Sequence, residues 1–212
     1  MLDLQPIHSV LHLTRHSRFM SQSNIHANTI GLFYGSTTCY TEMAGEKIQA
    51  AIHATTGDDS RVHLHNIKDV ALKRAEHYSI LIFGISTWDF GELQEDWESQ
   101  WDDIAQVDLT DKIVAIYGLG DQVGYPDWFQ DAVGMLHEQL VPLGCHVIGH
   151  WPNQGYEFNT SKALTEDSSH FVGLSLDDET QYELTDARIN EWTEQVLAEA
   201  EAVQAVLNDE SA

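Results

Sequence analysis

Five hydroxyl-bearing side chains lie within one stretch of seven residues in the first part of the chain. Residues 35–41 read GSTTCYT, and no basic residue follows them until Lys47. Backbone N–H groups at a helix N-terminus, together with hydroxyl donors, bind a phosphate dianion even without a cation. Helix capping alone would need only one or two of these hydroxyls, and the GxxxxGKS/T pattern of a nucleotide P-loop is absent. The stretch therefore predicts a phosphate-binding loop.

Two further loops each place an aromatic residue after an apolar run. Residues 86–91 read STWDFG and contain Trp88, and residues 118–125 read GLGDQVGY and end at Tyr125. A flat aromatic ligand fits between two such side chains by offset stacking. A loop tryptophan alone more often anchors packing, so this interpretation depends on the phosphate loop lying beside both. Together the three loops predict a site for a phosphorylated flavin.

Alternating strand and helix patterns would position these loops. Short apolar or alternating runs predict strands at 29–34, 61–67, 79–85, 112–117 and 145–150, with the last strand resuming at 171–176. Apolar residues at helical spacing predict helices at 41–54, 93–105, 127–143 and 185–207. The polar stretch at 151–170 then interrupts the last strand as an insertion.

This order of elements predicts an α/β protein with a doubly wound, five-stranded parallel sheet. The runs at 79–85 and 112–117 are apolar throughout, which is typical of parallel strands covered on both faces. Sheets of this kind bind ligands beyond the carboxyl ends of their strands, where the strand order reverses. The three loops follow the first, third and fourth predicted strands, so we expect them to meet at that edge.

The charge of the chain limits its partners. There are 34 acidic residues against 10 basic ones, a formal charge of -24, which repels nucleic acids and anionic membranes. Nine carboxylates and no lysine or arginine lie between Asp89 and Asp111. This segment is either a solvated helix face or a surface that attracts basic partner proteins.

The cysteines and histidines show no metal-binding pattern. Cys39 and Cys145 are far apart and form no CxxC pair, and the twelve histidines show no HExxH-type spacing. We predict no metal site and no disulfide scaffold, which fits a reducing cytoplasm. No apolar run reaches the roughly 18 residues that a membrane-spanning helix needs.

The first 28 residues of the chain differ in composition from the rest. Residues 1–28 contain four histidines, two arginines and one acidic residue, without the apolar core of a secretory signal. They are either a disordered arm or the product of a misassigned start, since Met20 stands shortly before the first predicted strand. We expect one domain at 29–207, followed by a tail at 208–212.

Three motifs in order resemble the flavodoxin family. FYGSTTCYTE resembles its FMN phosphate loop, STWDFGELQEDW its inner ring loop, and YGLGDQVGYPDWFQDA its outer ring loop. The resemblance covers residues 29–200 and implies the flavodoxin-like strand order 2-1-3-4-5. The insertion, with GYEFNTSKAL, resembles that of long-chain flavodoxins, and the TCYTE variant of the phosphate loop resembles the second flavodoxins of bacteria.

The resemblance implies a role for each matching residue. The FMN phosphate would bind Ser36, Thr37, Thr38, Cys39, Tyr40 and Thr41. The isoalloxazine ring would lie between Trp88 and Tyr125. The ring or the ribityl chain would contact Thr87, Asp89, Phe90, Gly91, Leu119, Gly120 and Asp121. Cys39 and Ser86 depart from the family pattern, which commonly has Gly and Pro at these positions.

The same resemblance implies a low-potential, one-electron carrier that shuttles electrons between a reductase and acceptor redox enzymes. Such a carrier needs no catalytic residue, because the cofactor does the chemistry. We expect a monomer whose partners are basic redox proteins, such as a flavodoxin reductase. The alternative is an FMN-dependent NAD(P)H:quinone reductase, although no basic residue near the loops would receive a nicotinamide phosphate. A phosphoacceptor receiver domain would need an acidic cluster where Gly35 and Ser36 stand.

Overall fold

The computed structural model describes residues 29–210. The predicted arm at 1–28 and the end of the predicted tail lie outside the described residues. The strands are β1 (Ile30–Tyr34), β2 (Val62–Asn66), β3 (Ile80–Trp88), β4 (Glu92–Leu93), β5 (Ile113–Leu119), β6 (His146–Ile148), β7 (Trp151–Pro152), β8 (His170–Phe171) and β9 (Leu174–Leu176). The helices are α1 (Tyr40–Thr56), α2 (Glu95–Gln100), α3 (Asp131–Leu140) and α4 (Tyr182–Glu210).

The main sheet has the order β2-β1-β3-β5-β6, and all these neighbours run parallel. The predicted strand order is therefore confirmed, with the short β4 added antiparallel to the end of β3. Every residue of β5 and the first six residues of β3 are buried. Helices cover both faces of these central strands, as their unbroken apolar sequence predicts.

The fifth strand of the sheet consists of two separate segments. The first half of β5 pairs with β6, and its second half, Tyr117 to Leu119, pairs with β9. Residues 149–173 leave the sheet between the two segments and contain the β7–β8 hairpin pairing. Gly149 makes this departure with φ 76°, where a Cβ would lie 2.9 Å from the Trp192 indole nitrogen. The predicted insertion is confirmed, with bounds slightly wider than 151–170.

Two predicted helices are shorter than expected. The helix predicted at 93–105 divides into α2 and a 3-10 helix at Trp101–Gln106, and Trp97 and Ile104 are both buried. The helix predicted at 127–143 begins only at α3 and ends in the 3-10 helix Val141–Leu143. Pro142 explains this end, because it has no N–H group to continue the α-helical hydrogen bonds.

The helix pairs hold the sheet from opposite sides. On one face α1 packs against α4, where Lys47 forms an ion pair of 2.8 Å with Asp186. On the other face α3 packs against the 3-10 helix that follows α2. Within residues 29–210, no helix is both long and apolar enough to cross a bilayer. Loops cover the carboxyl edge of the sheet, where β1, β3, β5 and β9 end.

Candidate cofactor site

The three loops meet at the carboxyl edge of the sheet and form a cleft. The cleft encloses about 760 Å3, part of it open to solvent. Its walls are formed by Thr38, Tyr40, Thr41, Ser86, Thr87, Trp88, Asp89, Leu119, Gly120, Asp121, Tyr125, Trp128, Phe129, Asp178 and Glu179. The structure thus brings together residues that are up to 141 positions apart in the sequence, from Thr38 to Glu179.

Five of the predicted site residues do not line this cleft. They are Ser36, Thr37, Cys39, Phe90 and Gly91. The sequence analysis assigned no site role to five lining residues: Ser86, Trp128, Phe129, Asp178 and Glu179. The two aromatic residues follow Tyr125 so closely that the pattern YPDWF contained a signal for them. The two acidic residues carried no such signal, because only the sheet topology places them near the loops.

The phosphate loop leads into α1 without a side-chain cap. The first helical hydrogen bond runs from the Met43 N–H to the Cys39 carbonyl, at 2.8 Å. The preceding N–H groups of the first turn therefore have no partner inside the helix. None of the described side chains caps Cys39's end of the helix, and the buried Ser36 Oγ has no hydrogen-bond partner among residues 29–210. This donor set fits a phosphate group and contradicts the simple capping interpretation.

A buried carboxamide connects the phosphate loop to the start of α2. The fully buried Gln94 donates from Nε2 to Thr37 Oγ1 and to Asp96 Oδ2, both at 2.8 Å. Asp96 Oδ2 also accepts the Ser36 N–H at 3.2 Å. A Cβ at Gly35 would lie 2.3 Å from Gln94 Oε1, so glycine is required for this approach. The network fixes the phosphate loop against the segment that follows the inner ring loop.

A buried tyrosine of β5 is hydrogen-bonded to the first turn of α1. The Tyr117 hydroxyl donates to the Thr41 carbonyl at 2.7 Å. Its ring passes over Gly84 and reaches Gly45, where an added Cβ would lie 2.2 Å and 2.7 Å from tyrosine atoms. Full burial raises the pKa of Tyr117 well above its ordinary value, so the hydroxyl remains a neutral donor.

The inner ring loop orients Trp88 at the end of β3. The half-buried Trp88 donates its indole N–H to Ser86 Oγ at 3.0 Å. Ser86, which departs from the family pattern, therefore supplies the acceptor that fixes the indole. The chain then turns sharply, with φ 41° at Asp89 and φ 89° at Gly91, and the Gly91 N–H returns to the Trp88 carbonyl at 3.1 Å. Phe90 at the tip is 67% exposed.

The outer ring loop is wound around one carboxylate. Asp121 Oδ1 accepts the N–H groups of Val123 at 3.0 Å and Gly124 at 2.7 Å. The Tyr125 N–H in turn donates to the Asp121 carbonyl at 3.1 Å. A Cβ at Gly124 would lie 2.2 Å from Asp121 Oδ2, so a larger residue here would displace this carboxylate. The turn presents Tyr125 at the mouth of the cleft, where it is 38% exposed.

A buried carboxylate, that of Asp177, positions the acidic side of the cleft. Asp177 is fully buried, and its Oδ2 accepts the backbone N–H of Gln122 at 3.1 Å and the Gln122 side chain at 2.7 Å. Its Oδ1 accepts the N–H groups of Glu179 and Thr180 at 3.0 and 2.9 Å. These bonds join the start of the outer ring loop to the turn that carries Asp178. The sequence alone gave no indication of this role for Asp177.

The two ends of the cleft differ in chemistry. The α1 end offers uncapped N–H groups and hydroxyls, and the opposite end offers aromatic faces. Among the described residues, those lining the cleft include no lysine or arginine, and four of them are carboxylates: Asp89, Asp121, Asp178 and Glu179. A planar ring with a phosphorylated side chain matches this arrangement, with the phosphate at the helix end.

Comparisons with known proteins agree with this geometry. The sequence model of the family described as Flavodoxin matches residues 32–192. Flavodoxin 2 of Escherichia coli K12 is 54% identical over 170 residues, which are 80% of this chain and 95% of that protein. A Synechococcus elongatus flavodoxin is 44% identical, over 80% of this chain and 96% of that protein. The crystal structure of Fusobacterium nucleatum flavodoxin bound to flavin mononucleotide has a TM-score of 0.74 and 29% identity, covering 81% and 98% of the two chains.

Proposed function

Because the chain belongs to the flavodoxin family, it is an FMN-binding electron carrier rather than an enzyme, and we propose that the cleft at the carboxyl edge holds the cofactor. One observation carries this placement: an uncapped helix N-terminus lies at one end of the cleft, and two aromatic side chains from different loops lie at the other. No such observation supports the alternative of an FMN-dependent NAD(P)H:quinone reductase.

We propose that the phosphate is bound by the loop residues predicted from the sequence: Ser36, Thr37, Thr38, Cys39, Tyr40 and Thr41. The support is the unpartnered Ser36 Oγ and the free N–H groups of the first turn of α1. Thr38, Tyr40 and Thr41 line the cleft directly. Ser36 and Thr37 do not line the cleft. The Thr37 hydroxyl oxygen accepts a hydrogen bond from Gln94, so its own proton is left to be donated to another group.

For the isoalloxazine ring, we propose stacking between Trp88 and Tyr125. Both side chains line the cleft and come from opposite ring loops. The remaining predicted contacts, proposed for the ring or the ribityl chain, are Thr87, Asp89, Phe90, Gly91, Leu119, Gly120 and Asp121. Trp128 and Phe129 extend the apolar wall beside Tyr125, and we add them to the proposed site.

FMN supplies the one-electron chemistry when it is bound, and the protein determines how readily an electron leaves. The four carboxylates that line the cleft oppose further negative charge inside it. The aromatic walls exclude water from the ring faces and so weaken solvation of such a charge. These residues therefore favour electron release, which is the property of a low-potential donor.

Flavodoxins work with redox partners, and we infer that the partners of this chain are basic proteins such as a flavodoxin reductase. Eight of the nine carboxylates between Asp89 and Asp111 are exposed, and they flank the inner ring loop. Charge complementarity would therefore guide a basic protein toward the cleft and raise the association rate. Both described cysteines are unpaired, which supports our proposal of a reducing, cytoplasmic location.

An equilibrium titration of the FMN-free protein with FMN and with riboflavin tests the proposed site. We expect one FMN per chain, with riboflavin bound more weakly because it lacks the phosphate. Ser36→Ala should reduce FMN affinity and leave riboflavin affinity nearly unchanged. Equal losses for both ligands would place the phosphate elsewhere. Steady NAD(P)H oxidation by the FMN-loaded protein alone would contradict the carrier function.

A further inference from the structure

Ser86 and Trp88 point to the same side of strand β3, at the carboxyl edge of the sheet. The strand runs from Ile80 to Trp88, and side chains two positions apart on a strand lie on the same face. Both residues line the cleft, and both are half-buried. The Ser86 hydroxyl and the Trp88 indole therefore face the same part of the proposed FMN site.

The backbone around these two residues is fixed by strand pairing on both sides. Ser86 is the last residue of β3 that pairs with β5, opposite Leu119. Trp88 pairs with Glu92 of the antiparallel β4, and its carbonyl accepts the Gly91 N–H at 3.1 Å. The indole can therefore change its orientation only by rotation about its side-chain bonds, between rotamers.

One hydrogen bond restrains this rotation. The indole N–H of Trp88 donates to Ser86 Oγ at 3.0 Å. Within residues 29–210, the indole makes no second hydrogen bond, and no other aromatic ring stacks on it. Trp97, by contrast, is almost completely buried and donates to the Gly84 carbonyl at 2.8 Å. Loss of the Ser86 acceptor would leave the Trp88 indole without a polar partner in the described part of the chain.

The orientation of this indole matters to a ring that stacks on it. An indole that turns among rotamers offers its face for only part of the time, and the affinity of the ligand falls by that fraction. A side chain that is already held in place costs the ligand little conformational entropy. The face of the indole also carries electron density, which disfavours added negative charge on a stacked ring. The orientation of Trp88 therefore affects both ring binding and electron release.

We propose that Ser86 is a positioning residue for Trp88, whose indole the Ser86 hydroxyl holds in the ring-stacking orientation before the cofactor binds. This role rests on the proposed FMN site, because it requires Trp88 to stack on the isoalloxazine ring. Proline is common here in the family pattern, and the side chain of proline accepts no hydrogen bond. The restraint on the indole is therefore a feature of chains with a hydroxyl at this position.

The indole N–H signals of the isotopically labelled, FMN-free protein test the restraint directly by nuclear magnetic resonance. Trp88→Phe identifies the Trp88 signal among those of the six tryptophans. In Ser86→Ala we expect this signal alone to shift upfield and its N–H to exchange with water about fivefold faster, because one hydrogen bond is lost. Ser86→Thr, which keeps the hydroxyl, should restore the wild-type signal.

Titrations with FMN and riboflavin measure the consequence at the ring. In Ser86→Ala the dissociation constants of both ligands should rise about fivefold and by the same factor, because the two ligands share the ring. The midpoint potential of the bound FMN should become less negative, because a loosened indole face opposes the added charge less. Ser86→Thr should match the wild type in affinity and in potential.

Ser161→Ala is the matched control. Ser161 is also half-buried, and its Oγ accepts the N–H of Ala163, two positions further on, at 3.1 Å. Ser161 does not line the cleft, so this variant should keep the wild-type affinities, potential and Trp88 signal. Equal affinity losses in Ser86→Ala and Ser161→Ala would overturn the proposal, because they would show a general effect of losing a serine hydroxyl.

The outcomes separate this role from the proposed function. A wild-type protein that binds no FMN would defeat the proposed function and, with it, the role of Ser86. If the wild type binds FMN, an unchanged Trp88 signal in Ser86→Ala would overturn the role of Ser86 alone. A changed signal with unchanged affinities and potential would overturn it as well, because the hydroxyl would then hold an indole that the ring does not use.

Discussion

Removing one buried hydroxyl tests how the phosphate end of the cleft is positioned. Tyr117→Phe deletes the 2.7 Å hydrogen bond to the Thr41 carbonyl and leaves the ring against Gly84 and Gly45. One buried hydrogen bond of this kind contributes about 1 kcal/mol. For a domain of this size, the melting temperature should therefore fall by about 2–4 °C.

The same bond holds the first turn of α1, whose N–H groups are proposed to bind the phosphate. If the whole loss of about 1 kcal/mol reaches the binding site, the FMN dissociation constant rises about fivefold, and this is an upper bound. Riboflavin affinity should hardly change. Because burial raises the pKa of Tyr117 well above its ordinary value, the difference between the two proteins should be constant from pH 6 to pH 9, below the range of about 10 in which a free tyrosine titrates.

Fluorescence titrations with FMN and riboflavin, together with thermal unfolding of the FMN-free proteins, measure both effects. Tyr34→Phe is the matched control, since the Tyr34 hydroxyl also bonds to α1, at 2.7 Å, but to the side chain of Glu42. It should lower stability without changing the ratio of FMN to riboflavin affinity. A Tyr117→Phe protein that loses stability but keeps this ratio would refute the positioning role.

Three further predictions concern the loops and the surface. Trp88→Ala and Tyr125→Ala should each weaken FMN and riboflavin binding alike, because each removes a stacking face worth about 0.5–1.5 kcal/mol beyond its buried area. Titration with each ligand measures the loss, and wild-type affinity in both variants would show that the ring binds elsewhere. Cys39→Gly should raise the free energy of unfolding, since Cys39 has φ 69° and a left-handed conformation costs a residue with a side chain about 1–2 kcal/mol. Chemical unfolding measures this free energy, and a lower value in the variant would disprove the strain. In stopped-flow experiments with a basic partner, the electron-transfer rate should fall less steeply with salt concentration when Glu95 and Glu98 are replaced by glutamine. An unchanged salt dependence would show that these charges only solvate the surface.

Sequence patterns were sufficient to locate the strands along the chain and the three loops, because both depend on local composition, whereas the order of the strands in the sheet came from the family resemblance. The apolar runs of β3 and β5, for example, are short and are bounded by clear turn residues. The insertion was also recognisable, since its polar composition differs from that of the two half-strands it separates. These features are encoded within windows of about ten residues.

The supports of the site could not be predicted, because each joins distant segments. Gln94 meets Thr37 across 57 positions, and Gln122 meets Asp177 across 55. Because Gln94 stands in an acidic segment, its sequence context predicts a surface residue, whereas the fold buries it completely. Cys39 illustrates the opposite case: the resemblance indicated that glycine is common there, and the left-handed φ of 69° gives the physical reason.

The acidic segment after the inner ring loop shows how one helix separates two tasks. Gln94 is the N-cap of α2, and Trp97, three residues later, lies buried on the same inner face. Glu95 and Glu98 lie on the outer face and are exposed. Asp96 is half-buried, and its carboxylate is engaged by Ser36 and Gln94. Neutralising this carboxylate would therefore disturb the phosphate loop as well as the surface charge, so only the outer residues isolate the electrostatic effect on partner binding.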